Sequence, residues 1–202
     1  MNLINAFQIL ILIVSVAAHE MAHGLAAYYF GDPTAKNLGR LTLNPLKHLD
    51  WFGSVILPAL LLLSGSQTII GWAKPVPYNP YNFRNRRAGE MAVAISGVAM
   101  NALIAIVFTI IYRLSIINNY TFAGLEIIKY IILINLVLFV FNLVPIPPLD
   151  GSKILLAFLP NRYNRFVLVL ERLGLAALIL FILFFSWVIS YIVTWLFQFL
   201  IG

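Results

Sequence analysis

The sequence predicts an all-α polytopic membrane protein with four to six transmembrane helices. Of its 202 residues, 62% are apolar and only 10% are charged, whereas a soluble globular domain carries about 25% charged residues. The apolar residues are also gathered into runs close to the ~20 residues that a helix needs to cross the hydrocarbon core of a bilayer. A soluble globular fold is therefore excluded. We expect a single integral-membrane domain over residues 1–202.

Four apolar runs predict membrane-spanning helices over residues 3–30, 91–112, 127–144 and 173–201. The first resembles a signal peptide, but no basic residue precedes it and its helical pattern continues beyond Ala18, so we expect it to be retained. The last run is free of charge throughout. It fits either one tilted helix or a span followed by a short second helix. Residues 161–172, where arginines alternate with apolar residues, are predicted to be an interfacial lead-in to this helix.

A fifth apolar stretch, residues 51–73, is interrupted by Pro58 and Gly65 and has basic residues on both sides. The positive-inside rule places both of its flanks in the cytoplasm, which favours a re-entrant hairpin over a full crossing. The same rule places the nearly neutral 113–126 connection outside and the N-terminus with it. The predicted fold therefore combines spanning helices with a re-entrant hairpin.

The charged residues limit the partners and the chemistry. Thirteen Lys and Arg against seven Asp and Glu give a net charge of +6, but the basic residues lie between apolar runs. They are therefore expected to set the orientation of the membrane spans beside anionic lipid, and they do not form the basic patch that would indicate nucleic-acid binding. Because the chain has no cysteine, a disulfide framework and a thiolate metal site are excluded. Any metal must be held by His, Asp or Glu.

Three ionisable residues inside the first predicted helix indicate a functional site. His19, Glu20 and His23 follow the pattern His-Glu-x-x-His, which places both imidazoles on one helical face, where they can bind one zinc ion, with the glutamate beside it. Interhelical hydrogen bonding is the structural alternative. At 1.5 Å per residue, the motif is expected toward the cytoplasmic end of its helix.

Two histidines leave a catalytic zinc one protein ligand short. Asp150 is the predicted third ligand, because it follows three prolines that must break the helix at the cytoplasmic end of the third span. Irregular backbone is tolerated at membrane depth when it is buried in protein or lines a polar cavity. His48 and Asp50 are rival ligands in a loop, where a surface or lid role suits them better.

Residues 19–23 together with 142–151 resemble the site-2 protease family of intramembrane zinc metalloproteases, whose hallmarks are HExxH and N-x-x-P-x-x-x-L-D-G. Residues 96–101 are similar to the family's G-x-x-x-N element. Residues 39–45 and 71–77 are typical of a compact prokaryotic branch without PDZ or CBS domains. The resemblance covers approximately residues 10–155, and beyond them only the hydropathy matches.

The resemblance implies one zinc ion per chain, held by His19, His23 and Asp150, with Glu20 as general base and acid. Asn142 and Asn101 would stabilise the oxyanion or orient the substrate, unless they serve as interhelical hydrogen bonds. The expected function is hydrolysis of peptide bonds within or near transmembrane segments of membrane proteins, by zinc-activated water.

The expected location is a prokaryotic cell membrane, with the active site toward the cytoplasm. Unwinding a substrate helix in lipid exposes its backbone groups, and residues 71–77, extended by their prolines, are predicted to offer a strand edge to them.

A catalytically silent binding protein and a small metal or solute transporter are the alternative functions. The sequence leaves the oligomeric state and the physiological substrate open.

Overall fold

The computed structural model of the chain describes residues 3–48, 50, 56, 74–120, 124–158 and 164–202. Its helices are α1 (Leu3–Tyr29), α2 (Thr34–Asn37), α3 (Arg86–Ile117), α4 (Gly124–Asn142), α5 (Asp150–Phe158) and α6 (Asn164–Ile201). Short 3-10 turns occupy Pro45–Lys47 and Pro80–Asn82, and the described residues contain no strand. Within these described ranges, four helices are long and apolar enough to cross a membrane: Phe7–Tyr29, Arg86–Ile117, Gly124–Asn142 and Arg172–Ile201. The prediction of an all-α polytopic membrane protein is confirmed.

The ends of the helices differ from the predicted spans for local reasons. Helix α3 begins before residue 91, because the Asn85 side chain accepts a hydrogen bond from the Ala88 N–H at 3.1 Å and caps the first turn. Helix α4 ends at Asn142, short of residue 144, just before Pro145. Apolar content alone predicts neither the Asn85 cap of α3 nor the position at which α4 ends before Pro145.

Helix α6 is continuous over Asn164–Ile201, so the last apolar run forms one helix and not two. This helix also includes the described part of the expected lead-in at 161–172. The expected re-entrant hairpin at 51–73 lies outside the described residues, apart from Ile56. Of the predicted strand edge at 71–77, residues 74–77 are described, and they have no regular secondary structure.

Helix α3 lies at the centre of the bundle and contacts α1, α4, α5 and α6. One face of α3 carries a buried residue at every fourth position: Gly89, Val93, Gly97, Asn101, Ala105 and Thr109. Most of these residues are small, which allows neighbouring helix backbones to approach closely in a membrane. The facing surface of α1 is also mostly small, with Ala18 and Ala22 buried beside the histidines. The functional residues of α1 are therefore held against α3.

Asp32 joins the end of α1 to the loop that covers the site. Gly31, at a φ of 109°, terminates the helix, and the fully buried Asp32 carboxylate then accepts hydrogen bonds from Thr34, from the Asn79 N–H at 2.6 Å and from Asn82 Nδ2 at 2.7 Å. Burial acts to raise the pKa of Asp32, but these hydrogen bonds outweigh it and lower the pKa below its ordinary value. Residues 74–82 are thereby fixed beside the C-terminal end of α1.

Candidate metal centre

His19 and His23 lie one turn apart on α1 and are both buried against α3. Their rings contact the backbone of α3 at Gly97, where a Cβ atom would lie only 2.6 Å from His19 Cε1 and 2.6 Å from His23 Nε2. Real Cβ atoms do not approach other atoms so closely. Glycine at position 97 therefore makes room for the two imidazoles.

Asp150 reaches the same point from the first turn of α5. The break after α4 folds back so tightly that a Cβ on Gly151 would lie 2.6 Å from the Val144 carbonyl oxygen. The buried Asp150 Oδ2 then lies 3.1 Å from Nε2 of His19 and 3.1 Å from Nε2 of His23. The Pro-rich break thus brings Asp150 to the histidines, as the sequence predicted.

The arrangement of these three side chains fits a bound cation. His23 Nδ1 lies 2.6 Å from the Val93 carbonyl oxygen, which can only accept, so Nδ1 carries the ring proton and Nε2 of the neutral ring presents a lone pair. His19 Nδ1 similarly faces Asn101 Oδ1 at 2.6 Å. Among the described residues, the buried Asp150 Oδ2 has no hydrogen-bond partner. When both rings are neutral, three electron-pair donors converge on one point, and two imidazoles with a carboxylate are a donor set that zinc accepts.

The electrostatics of Asp150 favour a positive charge at the same point. Burial acts to raise the pKa of Asp150, but hydrogen bonds and positive charge from protonated forms of the adjoining His19 and His23 imidazoles outweigh it and hold the pKa well below its ordinary value. The carboxyl group is therefore ionised. His19, His23 and Asp150 are the one group of potential metal ligands found within the described residues, with ligand atoms all within 4.8 Å of one another.

Glu20 lies beside this group and is partly buried. Its Oε2 atom accepts a hydrogen bond from the Val76 N–H at 2.7 Å, which orients the carboxylate. Glu20 and the three candidate ligands line a cavity of about 130 Å³, together with Val76 and with Pro75, Tyr78, Val93, Asn142, Pro148 and Lys153. A carboxylate next to a cation site, in a cavity with room for water, has the position that a general base requires.

The two predicted asparagines occupy different places. Asn142 lines the cavity, and its Nδ2 donates to the Leu138 carbonyl oxygen at 3.0 Å. Asn101 is fully buried and lies at Nδ1 of His19, away from the Nε2 atom that faces Asp150. Asn142 can therefore contact a molecule in the cavity, whereas Asn101 contacts His19.

The rival ligands do not join the group. Within the described residues, the metal-ligand group contains neither His48 nor Asp50. His48 is buried, its Nε2 lies 2.8 Å from the Thr42 carbonyl oxygen, and its own carbonyl oxygen accepts from the Lys74 N–H at 2.8 Å. His48 thus supports the start of the 74–79 segment.

Several residues that position the site were missed from the sequence. Asp32 follows a span directly and could have been noticed as an acidic residue in a Gly-Asp-Pro turn. Asn135 is an amide residue in the middle of an apolar run, a signal that indicates an interhelical partner. No sequence signal indicates that the Val76 N–H meets Glu20.

Comparison with known proteins agrees with this geometry. The family model described as "Peptidase family M50" matches residues 7–126 and 115–185. YwhC of Bacillus subtilis, whose name describes it provisionally as a zinc metalloprotease, is 38% identical over 183 residues, covering 87% of this chain and 80% of YwhC. Rip2 of Mycolicibacterium smegmatis, provisionally named in the same way, is 30% identical over 69% of this chain and 52% of Rip2. Zinc metalloprotease MJ0392 of Methanocaldococcus jannaschii is 27% identical over 79% of this chain and 36% of MJ0392. No solved structure matches.

These matches define the class to which the fold and site belong. The chain belongs to peptidase family M50, the site-2 protease family, and is a zinc metalloprotease. The resemblance predicted from its motifs is confirmed. Its four apolar helices agree with an integral membrane protein.

Proposed function

We propose that this metalloprotease hydrolyses peptide bonds within or near the transmembrane segments of membrane proteins. One observation carries the proposal: His19, His23 and Asp150 converge beside Glu20 in a cavity at the C-terminal end of a spanning helix. His19, His23 and Asp150 would hold one zinc ion per chain, which would supply Lewis-acid activation of a carbonyl group and of water. A site inside the helical bundle is placed to reach substrates that are themselves in the bilayer.

Glu20 is proposed as the general base and acid. Its carboxylate takes the proton from the attacking water and later passes it to the leaving nitrogen. The Val76 N–H at 2.7 Å holds Oε2 in place, so the carboxylate meets the water in a fixed orientation. General acid–base catalysis of this kind contributes a rate factor of about 100–10,000.

The two asparagines are proposed to have different roles. One N–H of the Asn142 side chain is used by Leu138, and its second N–H is available to an oxyanion in the cavity. For Asn101, which lies behind His19, we favour orientation of that ring over contact with substrate.

Residues 74–77 are proposed to receive the unwound substrate segment. They lack regular secondary structure, border the cavity at Pro75 and Val76, and connect directly to Glu20. Backbone N–H groups freed by unwinding a helix in lipid need acceptors. The carbonyl groups of residues 74–77 are the candidate acceptors, because the N–H groups of Lys74 and Val76 are already used by His48 and Glu20 and the two prolines have none. The basic residues near this end of α1 favour a cytoplasmic position in a prokaryotic cell membrane.

The test is cleavage by the purified chain reconstituted in lipid vesicles. Substrates are chosen as membrane proteins that accumulate uncut in a strain lacking this protein, and the products are mapped by mass spectrometry. We expect the cleaved bond to lie within or next to a transmembrane segment. Cleavage confined to soluble domains, or no cleavage across the panel, would contradict the proposal.

A further inference from the structure

A line of polar side chains connects the metal centre to the middle of α4. Asn101 on α3 and Asn135 on α4 are both fully buried. Asn101 Nδ2 donates to Asn135 Oδ1 at 2.9 Å, and Asn101 Oδ1 lies 2.6 Å from His19 Nδ1. Asn135 Nδ2 donates in turn to Ser15 Oγ and to the Ile131 carbonyl oxygen, each at 2.9 Å. Three helices are joined through these contacts.

The order of donors and acceptors along this line is set at Asn135, the residue farthest from His19. The Ile131 carbonyl can only accept, so the NH2 group of Asn135 must face it and the oxygen of Asn135 must face Asn101. Asn101 then directs its own NH2 group to Asn135 and its oxygen to His19. An oxygen at His19 Nδ1 requires a proton there. The lone pair of the neutral ring is consequently at Nε2, the atom that faces Asp150.

We propose that Asn135 is a positioning residue for the metal centre: it fixes the Asn101 side-chain amide so that His19 presents an electron pair at Nε2. The inference rests on the metal site of the proposed function. In many metal sites the second ring nitrogen of a ligand histidine donates to such a partner, and loss of the partner lowers metal affinity about 10–100-fold. Here the direct partner of His19 is the side-chain amide of Asn101. Rotation of this amide exchanges the positions of its oxygen and nitrogen, so a second residue must fix its orientation.

A role in helix packing alone makes a different prediction. If Asn135 only ties α4 to α1 and α3, any substitution that loses its two donated hydrogen bonds should weaken the fold and the metal site together. If Asn135 acts through Asn101, retention of an acceptor toward Asn101 should preserve metal binding. Asn135→Leu removes the donors and the acceptor, whereas the nearly isosteric Asn135→Asp loses at least one of the two donated hydrogen bonds and keeps an acceptor toward Asn101.

The experiment measures zinc affinity of the full chain in detergent, by competition with a chelator, and the visible absorption spectrum of the Co²⁺-loaded protein. We expect zinc affinity to fall about 10–100-fold in Asn135→Leu, with a changed Co²⁺ spectrum, and to stay close to wild type in Asn135→Asp. Asn135→Ala replaces the leucine variant if that variant does not fold. Thr109→Val removes a buried hydroxyl from the face of α3 that also carries Asn101; it is the control for loss of a buried polar group and should bind zinc normally.

Equal zinc affinities in Asn135→Leu and Asn135→Asp would overturn the proposal, as would a loss in Thr109→Val of the same size as in Asn135→Leu. A wild-type chain that binds no zinc would overturn the metal site itself, and this inference with it. Failure of the positioning role is thus distinguishable from failure of the proposed function.

Discussion

Gly97 is a residue whose small size the candidate metal centre requires. Because an added Cβ would lie 2.6 Å from His19 Cε1 and 2.6 Å from His23 Nε2, Gly97→Ala must displace the imidazoles or separate α1 from α3. Overpacking of this kind costs about 1–3 kcal/mol, so we expect zinc affinity to fall roughly tenfold or more. Chelator competition measures the change. Ala99→Val adds volume to an exposed position of the same helix and should bind zinc as wild type does. An unchanged affinity in Gly97→Ala would contradict the close contact between the two imidazoles and α3.

The hydrogen bonds of Asp32 predict how the stability of the fold depends on pH. Its pKa in the folded protein lies below the ordinary value of 3.8, so the folded state binds fewer protons than the unfolded state in acid. The stabilisation is complete above pH 3.8 and is lost as the pH falls toward the folded-state pKa. We expect the melting temperature of the wild type in detergent to fall as the pH is lowered below about 4. Asp32→Asn should melt lower at neutral pH and show a weaker acid dependence. Identical acid dependence in both proteins would exclude this role.

At the scale of an element, the 74–79 segment holds Glu20, the proposed general base, through one backbone hydrogen bond. Val76→Pro removes that N–H, and residue 76 is already restricted to extended backbone because Pro77 follows it. A hydrogen bond to a charged group contributes about 1.5–3 kcal/mol, so cleavage should slow by about 10–100-fold. Zinc content should be unchanged, because the N–H contacts no candidate ligand. Val76→Ala keeps the N–H and should retain most activity. A Val76→Pro variant that cleaves as fast as Val76→Ala would exclude the contact from catalysis.

The elements also show what sequence can and cannot predict. Hydropathy located four spans, because the cost of exposing backbone and charge in lipid dictates long apolar helices. The ends of α3 and α4 were displaced from their predicted positions, because Asn85 and Pro145 act through local backbone chemistry. His19, His23 and Asp150 were predicted together from their motifs, and the structure brings them together.

The supporting residues were harder to predict, because their roles depend on which helix faces pack together. The position of Asn101 behind His19, the need for glycine at 97 and the contact of Asn135 all arise where α3 meets α1 and α4. A periodic pattern shows that a residue is buried but not which neighbour it meets. Tertiary packing supplies that information.

At the scale of the whole molecule, the basic residues predict an external 118–120 connection and a cytoplasmic 80–87 segment. The absence of cysteine allows a direct test. Tyr120 is 65% exposed and Tyr81 is 83% exposed, so each can carry a single reporter thiol. In intact cells, a membrane-impermeant thiol reagent should modify Tyr120→Cys and should reach Tyr81→Cys only after permeabilisation. The cysteine-free parent is the background control, and the reverse labelling pattern would invert the topology.

The central claim is that Glu20 and one zinc ion hydrolyse a peptide bond of a membrane-embedded substrate. Its most direct test is the rate of substrate cleavage in vesicles by wild type and by Glu20→Gln, with the zinc content of both proteins measured. We expect Glu20→Gln to retain one zinc ion per chain, since Glu20 is not among the ligand group, and to cleave about 100–10,000 times more slowly. A zinc-loaded Glu20→Gln protein that cleaves at the wild-type rate would contradict the account.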